Sequence, residues 1–311
     1  MDRLSLTSTF KAAVAALCGL CLLACFSCTA TTALAAQQVN IISAADSGYQ
    51  QSLVQSIRES LRGSGIKIKT IDANTRRITV NGKQLIVSIG NESASLLDEK
   101  NITVTQLQIL ADIDPDKMPA QENISYLSMT QPLCRQFALI RSLDDEWQTV
   151  SLLLPEADAD LIHRLETCAN RYQLTLQVIL INQYINVIDA LNSTLSESDV
   201  LLALPDSSVY NAGTIKSILL TTYRHKVPII GFSESFVRAG ALAAMHSSTK
   251  QLGYQTAELI KKYYINQSIK QHYIYPDDFD VSINKDVAKS LGILIPDRKA
   301  LIKKLKNKNN E

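Results

Sequence analysis

The chain has 311 residues, 46% of them hydrophobic and 20% charged, which suits a folded protein of two domains or one large α/β unit. Its 31 lysines and arginines stand against 30 aspartates and glutamates, a formal charge of +1. This balance gives no argument for nucleic acid or an anionic membrane surface as the main partner, and no nucleic-acid partner is expected.

Residues 1–35 read as a secretory signal. Arg3 and Lys11 give a positive start, an apolar run broken only by Gly19 follows over 12–26, and small residues lead to Ala33-Leu34-Ala35. The run falls short of the roughly 20 apolar residues that a membrane span requires. Two processing sites are present. Cleavage at Ala33-Leu34-Ala35 leaves Ala36 or Gln37 as the new start, and is favoured because it lies just before the first strand. Leu22-Leu23-Ala24-Cys25 is similar to a bacterial lipobox, in which Cys25 carries the lipid. Either way the periplasm is the expected location. Cys18, Cys21, Cys25 and Cys28 lie in this region, leaving Cys134 and Cys168 in the mature chain. They are expected as two buried thiols on helices, with a disulfide as the alternative in an oxidising compartment.

Strand and helix patterns then alternate. Strands are predicted at 39–42, 66–71, 85–89 and 107–110, with helices at 47–61 and after Gly90. Residues 112–123, with Asp114-Pro115 and Met118-Pro119, read as a loop or linker. The alternation restarts with helices at 133–142, 157–172, 185–191 and 213–223, and strands at 150–154, 174–180, 200–204 and 227–232. A strand at 241–245 is expected to return to the first block. A long amphipathic helix follows at 252–264, and a last strand at 281–283. Apolar strands between amphipathic helices predict an α/β fold of two doubly wound parallel sheets, each covered on both faces.

The residues of most enzyme chemistries are missing. There is no G-x-S-x-G elbow, phosphate-binding loop or dinucleotide fingerprint. Ser88, Ser207 and Ser233 have no recognisable base partner. His163, His225, His246 and His272 are scattered without metal-ligand spacing. No catalytic residue, metal or cofactor is therefore expected. What remains is polar residues at predicted strand ends, where ligands bind in open parallel sheets. These are Asp46 and Ser47, Asn91 and Glu92, Ser207, Ser208 and Tyr210, and Ser233 and Glu234. Each segment also has the composition of a helix cap. In the crevice reading, backbone N–H groups at a helix start near Ser207 hold an acidic ligand group, and Glu234 reads an amino group.

The strings Leu-Pro-Asp-Ser-Ser-Val-Tyr at 204–210, Lys-Val-Pro-Ile-Ile-Gly-Phe-Ser at 226–233 and Val-Arg-Ala-Gly-Ala-Leu-Ala-Ala at 237–244 resemble the substrate-binding proteins of ABC transporters that include the tryptophan- and tyrosine-binding lipoproteins. So do Gly253 and the segment 283–296. Asn123-Ile124-Ser125-Tyr126 resembles the family's first crossing between lobes, with Tyr126 where the family has glycine. The resemblance implies the type I periplasmic-binding-protein fold. Lobe one would be 37–127 plus 240–267, lobe two 128–239 plus 268–311, with a hinge between them. It also implies a small-molecule ligand in the inter-lobe cleft, an ABC permease in the inner membrane as partner, and a monomer. The alternative is an exported sensor or accessory protein that uses the same fold to contact another membrane protein.

Overall fold

A computed structural model describes residues 37–75, 78, 84–110 and 121–308. Residues 1–35, expected as a secretory signal and including Cys25, and the expected linker with Asp114-Pro115 lie outside the described residues.

The chain opens with β1 (Gln38–Ser43), α1 (Gly48–Ser60), β2 (Lys67–Asp72), β3 (Leu85–Ile89), α2 (Asn91–Glu99), β4 (Gln106–Leu110) and β5 (Ile124–Ser128). It continues with α3 (Leu133–Leu143), β6 (Thr149–Leu154), α4 (Ala159–Arg171), β7 (Thr175–Leu180), α5 (Val187–Thr194), β8 (Val200–Leu202), α6 (Ile215–Arg224), β9 (Ile229–Gly231), α7 (Glu234–Ala239) and β10 (Ala243–His246). It closes with α8 (Thr249–Asn266), β11 (Tyr273–Ile274), β12 (Asp280–Ile283), α9 (Lys285–Leu291) and α10 (Arg298–Lys308).

These strands form two six-stranded sheets, ordered β11-β5-β4-β3-β1-β2 and β12-β10-β9-β8-β6-β7. Pairing is parallel except between β10 and β12. Both faces are buried, as the unbroken apolar strands require. In β6, Val150 and Leu152 enter one core and Leu153 the other, and β8 divides Leu202 and Leu201 in the same way. In the first sheet, Ile41 and Val87 join Leu53 and Ile57 of α1 under one face, while Ile42 and Ile86 pack with Leu97 of α2 under the other.

Three expectations need correction. The strand at 241–245 does not return to the first block. After α7 the chain turns at Gly240 (φ +132°) and re-enters the second sheet, where Leu242 N–H donates to Ile229 O at 2.8 Å. The lobe boundary at 240 therefore falls too early. Conversely β11, expected within lobe two, pairs with β5 of the first sheet. Tyr126 is no crossing residue: it pairs with Gln108 and Tyr273 inside the sheet, and its ring meets His272 edge-on at 5.3 Å. β5 lacks an alternating pattern because all five of its residues are buried.

The first lobe thus comprises β1 to β5, α8 and β11, and the second comprises α3 to β10 with β12, α9 and α10. α8 reaches lobe one because Gly253 lets it touch α1. A Cβ at Gly253 would lie 2.5 Å from Ser56 Cβ and 3.0 Å from Ile57 N. Cys134 and Cys168 form a disulfide between α3 and α4, with Cα atoms 4.8 Å apart. The expectation of two thiols is corrected by this proximity, which needed the tertiary fold.

Candidate functional site

Among the described residues the chain crosses between the lobes three times: at 129–132 after β5, at Ser247 and Ser248 after β10, and at 275–279 after β11. Side chains tie the crossings together. Gln131 Nε2 donates to Ser247 Oγ at 2.7 Å, and Ser247 Oγ donates to Asp278 O at 2.6 Å. Arg135 Nη1 donates to Gln131 Oε1 at 3.0 Å and to Pro276 O at 2.7 Å. Burial lowers the Arg135 pKa, against the opposing pull of Asp277 and Asp278. Gln255 of α8 spans the third crossing, donating to Tyr275 O at 2.9 Å and accepting from Asp277 N–H at 3.0 Å. Phe279 lies under two cations, Arg135 at 5.5 Å and Lys306 at 5.7 Å from its ring centre. Burial raises the Asp278 pKa, but the Lys306 ammonium, Gln251 and the Phe279 N–H outweigh it and hold the carboxyl below its ordinary value.

Beside this knot lies a cavity of about 570 Å³, within the range of small-molecule sites. Its second-lobe wall is the carboxyl ends of β6, β8 and β9, with Pro155, Glu156, Asp158, Asp206 and Phe232. Thr130 and Gln131 of the first crossing, Leu133 and Gln136 of α3, and Leu161 and Arg164 of α4 also wall it. Tyr273 of β11 in the first lobe and Tyr275 of the third crossing complete the lining, their rings meeting edge-on with centres 4.8 Å apart. Burial raises the Tyr273 pKa strongly. A hydrogen bond with Ser128 and the charge of Arg164 pull it down, and Tyr275 adds to the rise. The cavity therefore presents aromatic rings, one guanidinium and several carboxylates.

None of the nine predicted residues is among those that line this cavity. Ser47 caps α1, accepting from Gln50 N–H at 3.4 Å, beside exposed Asp46. Asn91 and Glu92 are exposed in the first turn of α2, behind Gly90 at φ +86°. No helix begins at Ser207. Asp206 Oδ1 accepts from Ser208 N–H at 2.8 Å and from Ser208 Oγ at 2.5 Å, which makes a turn, and α6 starts only at Ile215. Tyr210 is a core ring between Phe232 and Phe236, and burial raises its pKa well above the ordinary tyrosine value. Ser233 caps α7 by accepting from Phe236 N–H at 3.2 Å, and Glu234 pairs with Arg238 at 3.2 Å on the surface.

The strand-end rule that singled out β8 and β9 applies equally to Pro155-Glu156-Ala157-Asp158 after β6, and there it reaches residues that do line the cavity. Gln136 and Arg164 lie inside helices, Tyr273 in a two-residue strand and Tyr275 just after it, where local sequence carries no such signal.

Comparison with known proteins fits this geometry. The family described as ABC transporter substrate binding protein matches residues 39–305. The chain belongs to this family. It is 21% identical over 260 residues to a tyrosine-binding protein of Clostridioides difficile strain R20291, covering 80% of this chain and 74% of that one. Among solved structures it is similar to a ligand-free, open substrate binding protein with adhesive properties from Clostridium difficile, with a TM-score of 0.64, 18% identity, and 85% and 97% of the two chains covered. It is also similar to an ABC domain in complex with L-Trp from Streptococcus pneumonia, with a TM-score of 0.58, 18% identity, and 85% and 98% covered. The fold of this substrate-binding protein is the two-lobed type I periplasmic-binding-protein arrangement.

Proposed function

We propose that this substrate-binding protein delivers a small amino-acid-like solute to an ABC importer, working in the periplasm after export directed by residues 1–35. The observation that carries the reading is the cavity, where rings, a cation and carboxylates converge beside the knotted crossings. Tyr273, Tyr275 and Phe232 would enclose an apolar side chain. Arg164 would take the ligand's carboxylate, and Glu156 or Asp206 its ammonium group. The relatives named for tyrosine and for L-Trp support an amino acid with an aromatic body. Asp46, Ser47, Asn91 and Glu92 follow the carboxyl ends of β1 and β3. In this reading, closure about the three crossings brings those segments over the ligand, so that the closed state is selected because it alone offers both walls.

The test is thermal-shift titration of residues 37–311 with L-tyrosine, L-tryptophan and a panel of other amino acids. One of them should raise the melting temperature in a saturable way. Arg164→Leu should weaken that ligand by at least tenfold, the loss of a charged hydrogen bond of about 1.5–3 kcal/mol. A folded protein that no amino acid stabilises refutes the amino-acid reading. Co-purification of a permease would support the importer, and recovery of a different membrane partner in its place would count against it.

A further inference from the structure

Gln136 lies one turn into α3, only 4% exposed, on the wall of the cavity. Its Oε1 is buried and has no hydrogen-bond partner among the described residues. Other buried glutamines behave differently. Gln255 is bonded at both ends of its amide, Gln131 both donates and accepts within the crossings, and Gln106 donates to Ile102 O while accepting from Gln108. The neighbours of Gln136 in α3 are Phe137, Ala138, Leu139 and Ile140, all core residues. For packing alone, an unbranched apolar side chain of the same length would serve better there, because a buried acceptor without a donor is destabilising.

We infer that Gln136 is a ligand-reading residue, whose amide oxygen is held in reserve for an N–H or O–H group of the solute. The inference rests on the cavity being the solute site, and it narrows the solute to molecules that bring a hydrogen-bond donor to this wall alongside an apolar body. An isostere without the donor is rejected, because it leaves the acceptor buried and unmatched. The disulfide between Cys134 and Cys168 supports the arrangement. It pins α3 two residues from Gln136 to α4 four residues from Arg164, so the two polar groups are held on one braced wall.

Gln136→Met keeps the length and removes the amide. Two measurements on residues 37–311 decide the matter. Without ligand, the variant should melt about 2–4 °C above the wild type, since an unmatched polar group has been removed. With the same two amino acids, L-tyrosine and L-tryptophan, the variant should bind about tenfold more weakly than the wild type. A ligand-free melting point at or below that of the wild type overturns the inference, because the amide was then already satisfied. Equal affinity in variant and wild type overturns it as well. If the wild type responds to neither amino acid, the amino-acid reading falls by itself. The ligand-free comparison then decides the inference alone, a rise sustaining it and no rise overturning it.

Discussion

A serine just past a strand end has two uses, and at Ser47 and Ser233 the backbone claims it. Short polar side chains reach their own N–H groups two or three residues on more readily than they reach across a cleft, so these hydroxyl oxygens accept from the N–H groups of Gln50 and Phe236. Phe232, next to Ser233, and Asp206 after β8 line the cavity instead. His246 shows a second residue-scale effect. Its Nε2 bonds Ser282 Oγ at 2.8 Å, and burial lowers its pKa, opposed by Asp280, Glu234 and the Ser247 backbone and reinforced by Arg298. The folded-state value lies below the unfolded one, so on acidification the unfolded chain takes up the proton first. The contribution to stability is complete above about pH 6.5 and is lost as pH falls below it. His246→Gln should therefore lose less melting temperature than the wild type between pH 7.5 and 5. Parallel loss in both proteins would show that His246 does not set this dependence.

Elements were legible wherever an apolar run had clear limits. β3 matches its predicted span residue for residue, and β6 lies within one residue of it. The elements that sequence misplaced are those whose identity depends on a neighbour. β10 could pair with either sheet, β11 is only two residues long, and β5 is buried throughout, which erases its period. The contact of α1 with α8 is of the same kind, since its signal is one glycine in an ordinary amphipathic helix. Gly253→Ala should force the helices apart and cost about 1–3 kcal/mol, read as a lower urea midpoint, with circular dichroism confirming the fold. An unchanged midpoint would mean that the helices have room to separate. The disulfide adds support of a different origin, restricting the unfolded chain between α3 and α4 by roughly 2–4 kcal/mol in loop-entropy terms.

At the scale of the molecule, the doubled α/β architecture was readable from rhythm, whereas the division of the chain between lobes was not. Rhythm reports how many layers exist and says nothing about which sheet a late strand joins. The cavity followed the same limit: the strand-end rule pointed to the ends of β8 and β9, where Asp206 and Phe232 line it beside the residues that were named, while the α3 and α4 side came together only through tertiary packing. The three crossings also fix an order of assembly. Lobe two gathers most of its sheet from the continuous stretch 149–246, so its pairings close early. Lobe one must wait for α8, whose Leu252 and Ile260 cover Leu53 and Ile57 of α1 from nearly two hundred residues downstream. Such distant closure slows folding. Pulse-labelled hydrogen exchange during refolding should find the amides of β6 and β8 protected before those of β1 and β3, and simultaneous protection would refute this sequence of events. Until α8 arrives, the stretch from β1 to β5 carries an uncovered apolar helix face, which makes it the segment most in need of a chaperone's shelter.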